Sequence, residues 1–137
     1  MRAQRIAAWG GIAVVTVAVI AGLAVIGTPG ERRVVRLDQA RVADLRSLSM
    51  RVNLAWSSRH ELPARAEDLI DGRNMTRLPL DPESHEPYEY RVTEPERFEV
   101  CATFSRRSPE DENENDFWFH EAGHRCFRFN AGKDVYR

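Results

Sequence analysis

The stretch Phe98-Glu99-Val100-Cys101-Ala102-Thr103-Phe104 decides the fold of this chain. Its side chains alternate, so that every second residue lies on the same face. A period of two is typical of a half-buried β-strand. The face that carries Phe98, Val100, Ala102 and Phe104 is predicted to meet a hydrophobic core, and Cys101 lies on the opposite face.

Two further strands are predicted around this one. The segment Arg125-Cys126-Phe127-Arg128-Phe129 places its two phenylalanines on one face, and Tyr88-Glu89-Tyr90-Arg91-Val92 alternates in the same way. The fold class is therefore expected to include a small antiparallel sheet with one aromatic face.

The two cysteines of the chain lie on the same side of their predicted strands. Cys101 and Cys126 each oppose the aromatic face. Cα atoms at a non-hydrogen-bonded cross-strand pair are about 4.5 Å apart, which is within the range of a disulfide. We predict a Cys101–Cys126 disulfide, and two separate structural thiols are the alternative. A disulfide is typical of proteins in an oxidising compartment.

A long helix is predicted from about Pro29 to Ser58, where residues 28–31 have the pattern of a capping box. A three-four spacing of apolar residues indicates one amphipathic face packed on a domain; these residues are Val35, Val42, Leu45, Val52 and Trp56. Asp38 and Ser49 interrupt this stripe. A shorter helix is expected over Ala64 to Ile70. Helices followed by strands indicate an α+β domain.

The beginning of the chain holds an uninterrupted apolar run, Ile6–Ile26, whose one polar side chain is Thr16. Such a run reaches across the roughly 30 Å hydrocarbon core of a bilayer. We predict a transmembrane anchor at residues 1–27 and an extracytoplasmic domain at 28–137. A cleaved secretory signal is the alternative, but its apolar core has roughly 7–15 residues. The arginines on each side do not settle the orientation, and the cysteines favour a domain outside the cytoplasm.

The composition excludes some functions and leaves others open. The formal net charge is −1, so no overall charge signature of nucleic-acid binding is present. Arginines are concentrated in residues 31–60 and acidic residues in 110–121. We interpret both as solvated faces, and a basic helix attracted to anionic lipid headgroups is the alternative for the first.

The order of these elements resembles the type IV pilin-like fold of type II secretion major pseudopilins. The resemblance is carried by Leu80-Asp81-Pro82-Glu83-Ser84-His85-Glu86-Pro87-Tyr88-Glu89-Tyr90, which is similar to the D-P-(W/x)-G-x-P-Y-x-Y segment of that family. It implies a long amphipathic helix that follows a membrane helix and packs on a small antiparallel sheet. The prepilin-peptidase signature, a Gly before the apolar run with a Glu five residues inside the mature end, is absent, and the run at residues 6–26 holds no Glu. Processing and filament assembly are therefore not implied.

A function follows from this resemblance as an expectation. Together with the predicted anchor and disulfide, it leads to the hypothesis of a non-enzymatic, single-pass protein of the cell inner membrane, whose extracytoplasmic domain is an interaction or assembly component. The expected partners are the lipid bilayer and another protein of the cell envelope. No cofactor is expected.

His120-Glu121-Ala122-Gly123-His124 suggests an alternative, because it matches the H-E-x-x-H motif of zinc peptidases. That motif requires both histidines on one face of a helix, with the glutamate as general base. Here Gly123 weakens a helix, and a strand is predicted directly afterwards. We expect a loop that packs Phe117, Trp118 and Phe119 on the sheet. A membrane-anchored zinc hydrolase is the second hypothesis, and a structural metal site that uses His120, His124 or Cys126 is the third.

The acidic segment before this motif offers oxygen ligands for calcium. They are supplied by Asp111, Asn113 and Asn115. The segment lacks the glycine at the sixth position and the carboxylate at the twelfth position of an EF-hand loop. Calcium binding is therefore a minor hypothesis.

Overall fold

Within its described residues the chain forms two α-helices, a short 3-10 helix and three strands. The computed structural model describes residues 2–26, 29–72, 75–109 and 113–133. The chain divides into two compact units, Met1–Val34 and Val35–Arg137. The elements are α1 (Arg2–Ile26), α2 (Pro29–Arg59), a 3-10 helix (Ala66–Leu69), β1 (Glu89–Glu94), β2 (Arg97–Phe104) and β3 (Gly123–Asn130).

Helix α1 covers residues that are predicted to form a membrane anchor. The prediction of a transmembrane helix in the fold class is wrong. Among the residues described, no helix combines the length and the apolar character that crossing a bilayer requires. Large apolar side chains along this helix are exposed, among them Trp9, Ile12, Val15 and Ile20. The division at 1–27 and 28–137 stays a prediction.

Helix α2 begins at Pro29, as predicted, and ends at Arg59. Proline suits the first turn of a helix, because the N–H that it lacks would have no partner there. The helix stops where His60 takes a φ of 52°, in the left-handed region that terminates helices. The predicted helix at Ala64–Ile70 is shorter than expected, because a 3-10 turn occupies Ala66–Leu69 alone.

The three strands pair in the order β1-β2-β3, and both pairings are antiparallel. The predicted α+β class and the antiparallel sheet are confirmed. In the register of β2 and β3, Cys101 faces Cys126 and Val100 faces Phe127. Because side chains alternate along each strand, this register places the aromatic residues on one face and the cysteines on the other.

The hydrophobic core joins α2 to the aromatic face of the sheet. Leu45, Leu48 and Val52 supply the helix side. The sheet side is buried as predicted and consists of Phe98, Val100, Ala102, Phe104, Phe127 and Phe129. The rings of Phe98 and Phe129 are stacked, with their centroids 5.1 Å apart. Of the apolar stripe predicted on α2, Leu45 and Val52 are buried, whereas Val42 and Trp56 are only partly buried.

Arg41 on α2 is 4 % exposed, and it forms hydrogen bonds within its own helix and to two other parts of the domain. Its Nε donates to Asp81 Oδ2 at 2.6 Å, and its Nη2 donates to Glu83 Oε2 at 2.8 Å. Its Nη1 donates to Asp38 Oδ1 at 2.8 Å and to Ser105 Oγ at 2.9 Å. One guanidinium therefore connects α2, the loop before β1 and the residue after β2. A buried charge needs such partners, because its desolvation is costly.

The two aspartates in this cluster also hold the backbone. Asp38 accepts the N–H groups of Ser105 and Arg106 at 2.9 and 3.0 Å. Asp81 accepts those of Glu83 and Ser84, both at 2.9 Å. Burial opposes ionisation of Asp81, but the bonds from Arg41 and from these two backbone groups lower its pKa to about 2. Hydrogen bonds to Asp81 likewise keep the pKa of Arg41 above its ordinary value.

Two tyrosines fix the segment that follows Asp81. The Tyr88 hydroxyl donates to Asp44 Oδ2 at 2.9 Å, and the Tyr90 hydroxyl donates to the Pro63 carbonyl oxygen at 2.8 Å. Burial raises the pKa of Tyr90 to about 12. The Asp-Pro and Pro-Tyr-x-Tyr pattern of residues 81–90 therefore serves to attach this segment to α2 and to the turn after it.

Asp81 is expected to make the domain less stable in acid. Its pKa is about 2 in the folded state, against an ordinary value of 3.8, so its contribution is complete above the ordinary value and is lost as the pH falls towards 2. Between about pH 6 and pH 3, wild type should lose about 1 kcal/mol of unfolding free energy that Asp81→Asn does not lose. Urea unfolding at both pH values measures this.

The matched control is Glu86→Gln, which removes an exposed carboxylate from the same loop. Its unfolding free energy should depend on pH as that of wild type does. Equal pH dependence of the unfolding free energy in wild type and Asp81→Asn would contradict the lowered pKa of Asp81.

Candidate functional site

A groove of about 300 Å³ lies between α2 and the segment that follows β2. All of its lining residues belong to the unit Val35–Arg137. Helix α2 supplies one wall, with Val35, Asp38, Gln39, Val42 and Arg46. The opposite wall consists of Arg106, Arg107, Pro109, Asn113, Asp116, Trp118 and His120.

The second wall is held in place by polar contacts. Asp38 binds the backbone at Ser105 and Arg106, where the chain leaves β2. Further on, the Ser108 N–H donates to the His120 carbonyl oxygen at 2.8 Å. The His120 N–H donates to Ser108 Oγ at 3.2 Å. The Trp118 N–H donates to Asp116 Oδ1 at 2.8 Å.

Arginines line both walls of the groove. Arg46 and Arg106 are exposed and have no acidic partner within the described part of the chain. The Arg46 guanidinium lies over the Trp118 ring, 5.4 Å from its centroid, in a cation–π contact. Arg107 differs, because Glu121 and Glu114 both bind it and raise its pKa.

His120 is 5 % exposed and forms the inner end of the groove. Its ring stacks on Phe104 with the centroids 3.7 Å apart. Its Nδ1 lies 3.0 Å from the Trp118 carbonyl oxygen and 3.1 Å from Ser108 Oγ. A carbonyl oxygen can only accept, so we assign the proton to Nδ1 and the lone pair to Nε2.

The H-E-x-x-H match does not have the geometry of a zinc peptidase. His120 and Glu121 lie in a loop, and His124 lies in β3, so the histidines do not share a helix face. His124 Nε2 contacts Glu89 Oε1 at 3.1 Å, and Glu121 accepts from Arg107 Nε at 2.9 Å. The segment packs on the sheet as expected, since Trp118 lies 4.8 Å from Phe127 between ring centroids.

The residues of the calcium hypothesis are only partly placed. Asp111 lies outside the described residues. Asn113 and Asn115 are exposed, and Asn113 Oδ1 accepts the Asn115 N–H at 2.9 Å. Calcium binding there stays a prediction.

The predicted disulfide is present on the other face of the sheet. Cys101 and Cys126 are joined with their Cα atoms 4.1 Å apart. His124 completes a Cys–His–Cys cluster in which the ligand atoms lie within 4.8 Å of one another. Such a cluster could hold a metal, but the disulfide occupies both sulfurs. Of the three residues proposed for a structural metal site, His124 and Cys126 belong to this cluster and His120 does not.

Sequence reasoning missed Arg41 and the groove. Asp38 could have indicated this cluster, because it is a carboxylate within the apolar stripe of α2. A carboxylate that is buried there needs a cation or several N–H donors beside it. Arg41 is one helical turn away, at a spacing of three that brings side chains together. Asp81 and Ser105, the more distant partners, gave no comparable signal.

Comparisons with known proteins leave the function to be argued from this geometry. No protein-family model, no curated protein and no solved structure matches the chain. The resemblance of residues 80–90 to the pseudopilin segment therefore stays a resemblance in sequence pattern.

Proposed function

We propose that residues 35–137 form a pilin-like domain that acts as a non-catalytic interaction module of the cell envelope. In this proposal the domain lies outside the cytoplasm and its groove binds an acidic segment of a protein partner. The observation that carries the proposal is the groove between α2 and the segment after β2, with two arginines free of acidic partners in the described structure.

The chemistry of the groove favours an acidic ligand with an apolar part. Arg46 and Arg106 supply charged donors, which form the stronger hydrogen bonds to carboxylates. Val42 and the Trp118 ring offer apolar surface beside them. The buried Trp118 Nε1–H has no acceptor in the described part of the chain. A buried indole N–H usually has one, so a small shift of this wall would give a ligand oxygen an additional donor.

The pilin-like assignment rests on element order and on residues 81–90. A long helix packed on an antiparallel meander is the arrangement that the resemblance implies. The Asp-Pro turn and both tyrosines attach the segment before β1 to the helix side of the domain. This gives the resembling residues a common structural role.

The zinc hydrolase is not proposed further, because no observation favours it. A catalytic zinc requires ligands that converge on one open coordination site. His120 is stacked on Phe104 at the groove, whereas His124 lies on the sheet face that carries the disulfide.

The disulfide supports the proposed compartment, because such bonds persist in oxidising environments. Protein isolated from its native cells, denatured without reductant and treated with a thiol label should show no labelled cysteine. A reduced and denatured aliquot should show both cysteines labelled. Two labelled thiols in the unreduced sample would contradict the placement outside the cytoplasm.

The groove is tested with a synthetic peptide of four glutamates around one phenylalanine, and with its glutamine analogue. The acidic peptide should produce saturable NMR shifts of the Trp118 indole N–H and of the Arg106 backbone amide. Binding to the double variant Arg46→Gln, Arg106→Gln should be at least about tenfold weaker, because two charge-assisted hydrogen bonds are lost.

The matched control is the double variant Arg125→Gln, Arg128→Gln, which removes the same charge from exposed positions outside the groove. It should bind as wild type does. Equal binding of the glutamine analogue, or equal weakening in both double variants, would contradict a groove selective for acidic segments.

A further inference from the structure

The face of the sheet opposite the core brings four potential metal-binding residues together. In the strand register, Cys101 faces Glu89 on one side and Cys126 on the other. His124 lies two residues before Cys126 on β3, and therefore on the same face. Its Nε2 is 3.1 Å from Glu89 Oε1, so these two side chains meet across β2.

We propose that Cys101, Cys126 and His124 bind Zn²⁺ when the disulfide is reduced, with water as the fourth ligand. Two thiolates and one imidazole are a ligand set that zinc accepts in tetrahedral sites. The proposal is independent of the groove and of its acidic ligand, because it concerns the opposite face of the sheet.

The geometry suits zinc after a small movement. Zinc–sulfur bonds of about 2.3 Å in a tetrahedral site place two sulfurs roughly 3.8 Å apart. In the disulfide the two sulfurs are bonded to each other. After reduction they are no longer bonded, and van der Waals repulsion separates them to about the distance that zinc requires. The two sulfurs and one ring nitrogen of His124 already lie within 4.8 Å of one another. Side-chain rotation is therefore sufficient, and the strands can keep their register.

Glu89 is in position to orient the histidine. A carboxylate can only accept, so the contact with Glu89 places a proton on His124 Nε2. The Nδ1 lone pair then remains for the metal. Zinc-binding histidines usually donate their other ring N–H to a carboxylate or carbonyl oxygen, which fixes the tautomer and raises the basicity of the ligand.

Arg91 places a positive charge beside both sulfurs. Its Nη2 lies 4.0 Å from Cys101 Sγ and 3.9 Å from Cys126 Sγ, and a cation at this distance attracts the thiolates that metal binding requires. Its side chain is 57 % exposed and also pairs with Glu99 at 3.2 Å. It can therefore move towards solvent when zinc enters.

The two states exchange by balanced chemistry. A dithiol reductant supplies two electrons and two protons to the Cys101–Cys126 bond and becomes a disulfide itself. Zinc then replaces both thiol protons, which are released to water. In the reverse direction a small-molecule disulfide is reduced to two thiolates as the protein disulfide forms, and Zn²⁺ is released. The chain thus holds zinc under reducing conditions and a disulfide under oxidising ones.

The test uses the full chain in matched reduced and oxidised samples under inert gas, after removal of the reductant. Zinc is titrated in competition with a chromophoric chelator. Cobalt is then titrated as a spectroscopic substitute, because thiolate ligands produce charge-transfer absorption. The reduced protein should bind one equivalent of either metal, and the cobalt complex should show that absorption. The oxidised protein should bind at least about 100-fold more weakly, since it offers no thiolate.

Three variants separate a specific site from general thiol binding. His124→Ala should weaken zinc binding of the reduced protein at least tenfold, and Glu89→Gln should weaken it roughly 10–100-fold. Thr103→Ala, which changes an exposed residue paired with His124 in the sheet, should bind as wild type does. Circular dichroism of each reduced variant shows whether the fold is kept.

Equal zinc affinity of the reduced and oxidised proteins would overturn the proposal. So would unchanged affinity in a folded His124→Ala variant, which would assign binding to the thiols alone. If reduction itself unfolds the domain, a zinc-induced recovery of the folded dichroism spectrum supports the site, and its absence overturns it.

Discussion

The buried guanidinium of Arg41 is the interaction on which the rest of the domain depends. It lies on α2 and binds Asp38, Asp81 and Glu83 together with Ser105. The apolar core fixes α2 against the sheet without specifying the loops at its edge. Arg41 fixes the positions of these loops, because its N–H donors point in fixed directions and bind carboxylates at defined positions in the sequence. The loop before β1 and the exit from β2 are therefore placed by one side chain.

This dependence explains why the groove has a defined wall. Asp38 receives one bond from Arg41 and two from the backbone of Ser105 and Arg106. Those two backbone groups begin the segment that carries Arg107, Trp118 and His120. If the carboxylate of Asp38 lost its cation, a charge would remain buried without a partner. The position of this wall therefore depends on the Arg41 cluster, in which Asp38 is bound by Arg41 and by two backbone N–H groups.

Period-two patterns made the centre of the fold predictable. The alternation in residues 98–104 identified a strand, its buried face and the side on which Cys101 lies, and the same logic at Phe127 and Phe129 gave the partner strand. The disulfide followed, because a disulfide between neighbouring strands depends on local geometry that a sequence pattern determines. The three-four spacing on α2 likewise identified Leu45 and Val52.

Contacts between distant residues were not predictable in this way. Arg41 and Asp81 are 40 residues apart in the chain, and no periodicity links them. Hydrophobicity alone led to a transmembrane assignment for α1 that the described residues do not support. The H-E-x-x-H match was also misleading. This motif binds zinc only when both histidines lie on one helix, and here the chain enters strand β3 instead. The positions of His120 and His124 on different faces follow from tertiary structure.

The most direct test of this account is a double-mutant cycle on Arg41 and Asp81. Urea unfolding of wild type, Arg41→Met, Asp81→Asn and the double variant gives their coupling energy, and the exposed pair Arg97 and Glu94 provides the control cycle. We expect Arg41→Met to lower the free energy of unfolding by about 3–5 kcal/mol. The coupling energy of Arg41 and Asp81 should be about 2 kcal/mol or more, against about 0.5 kcal/mol or less for the control pair. A coupling energy of Arg41 and Asp81 no larger than that of the control would contradict the central role of this cluster.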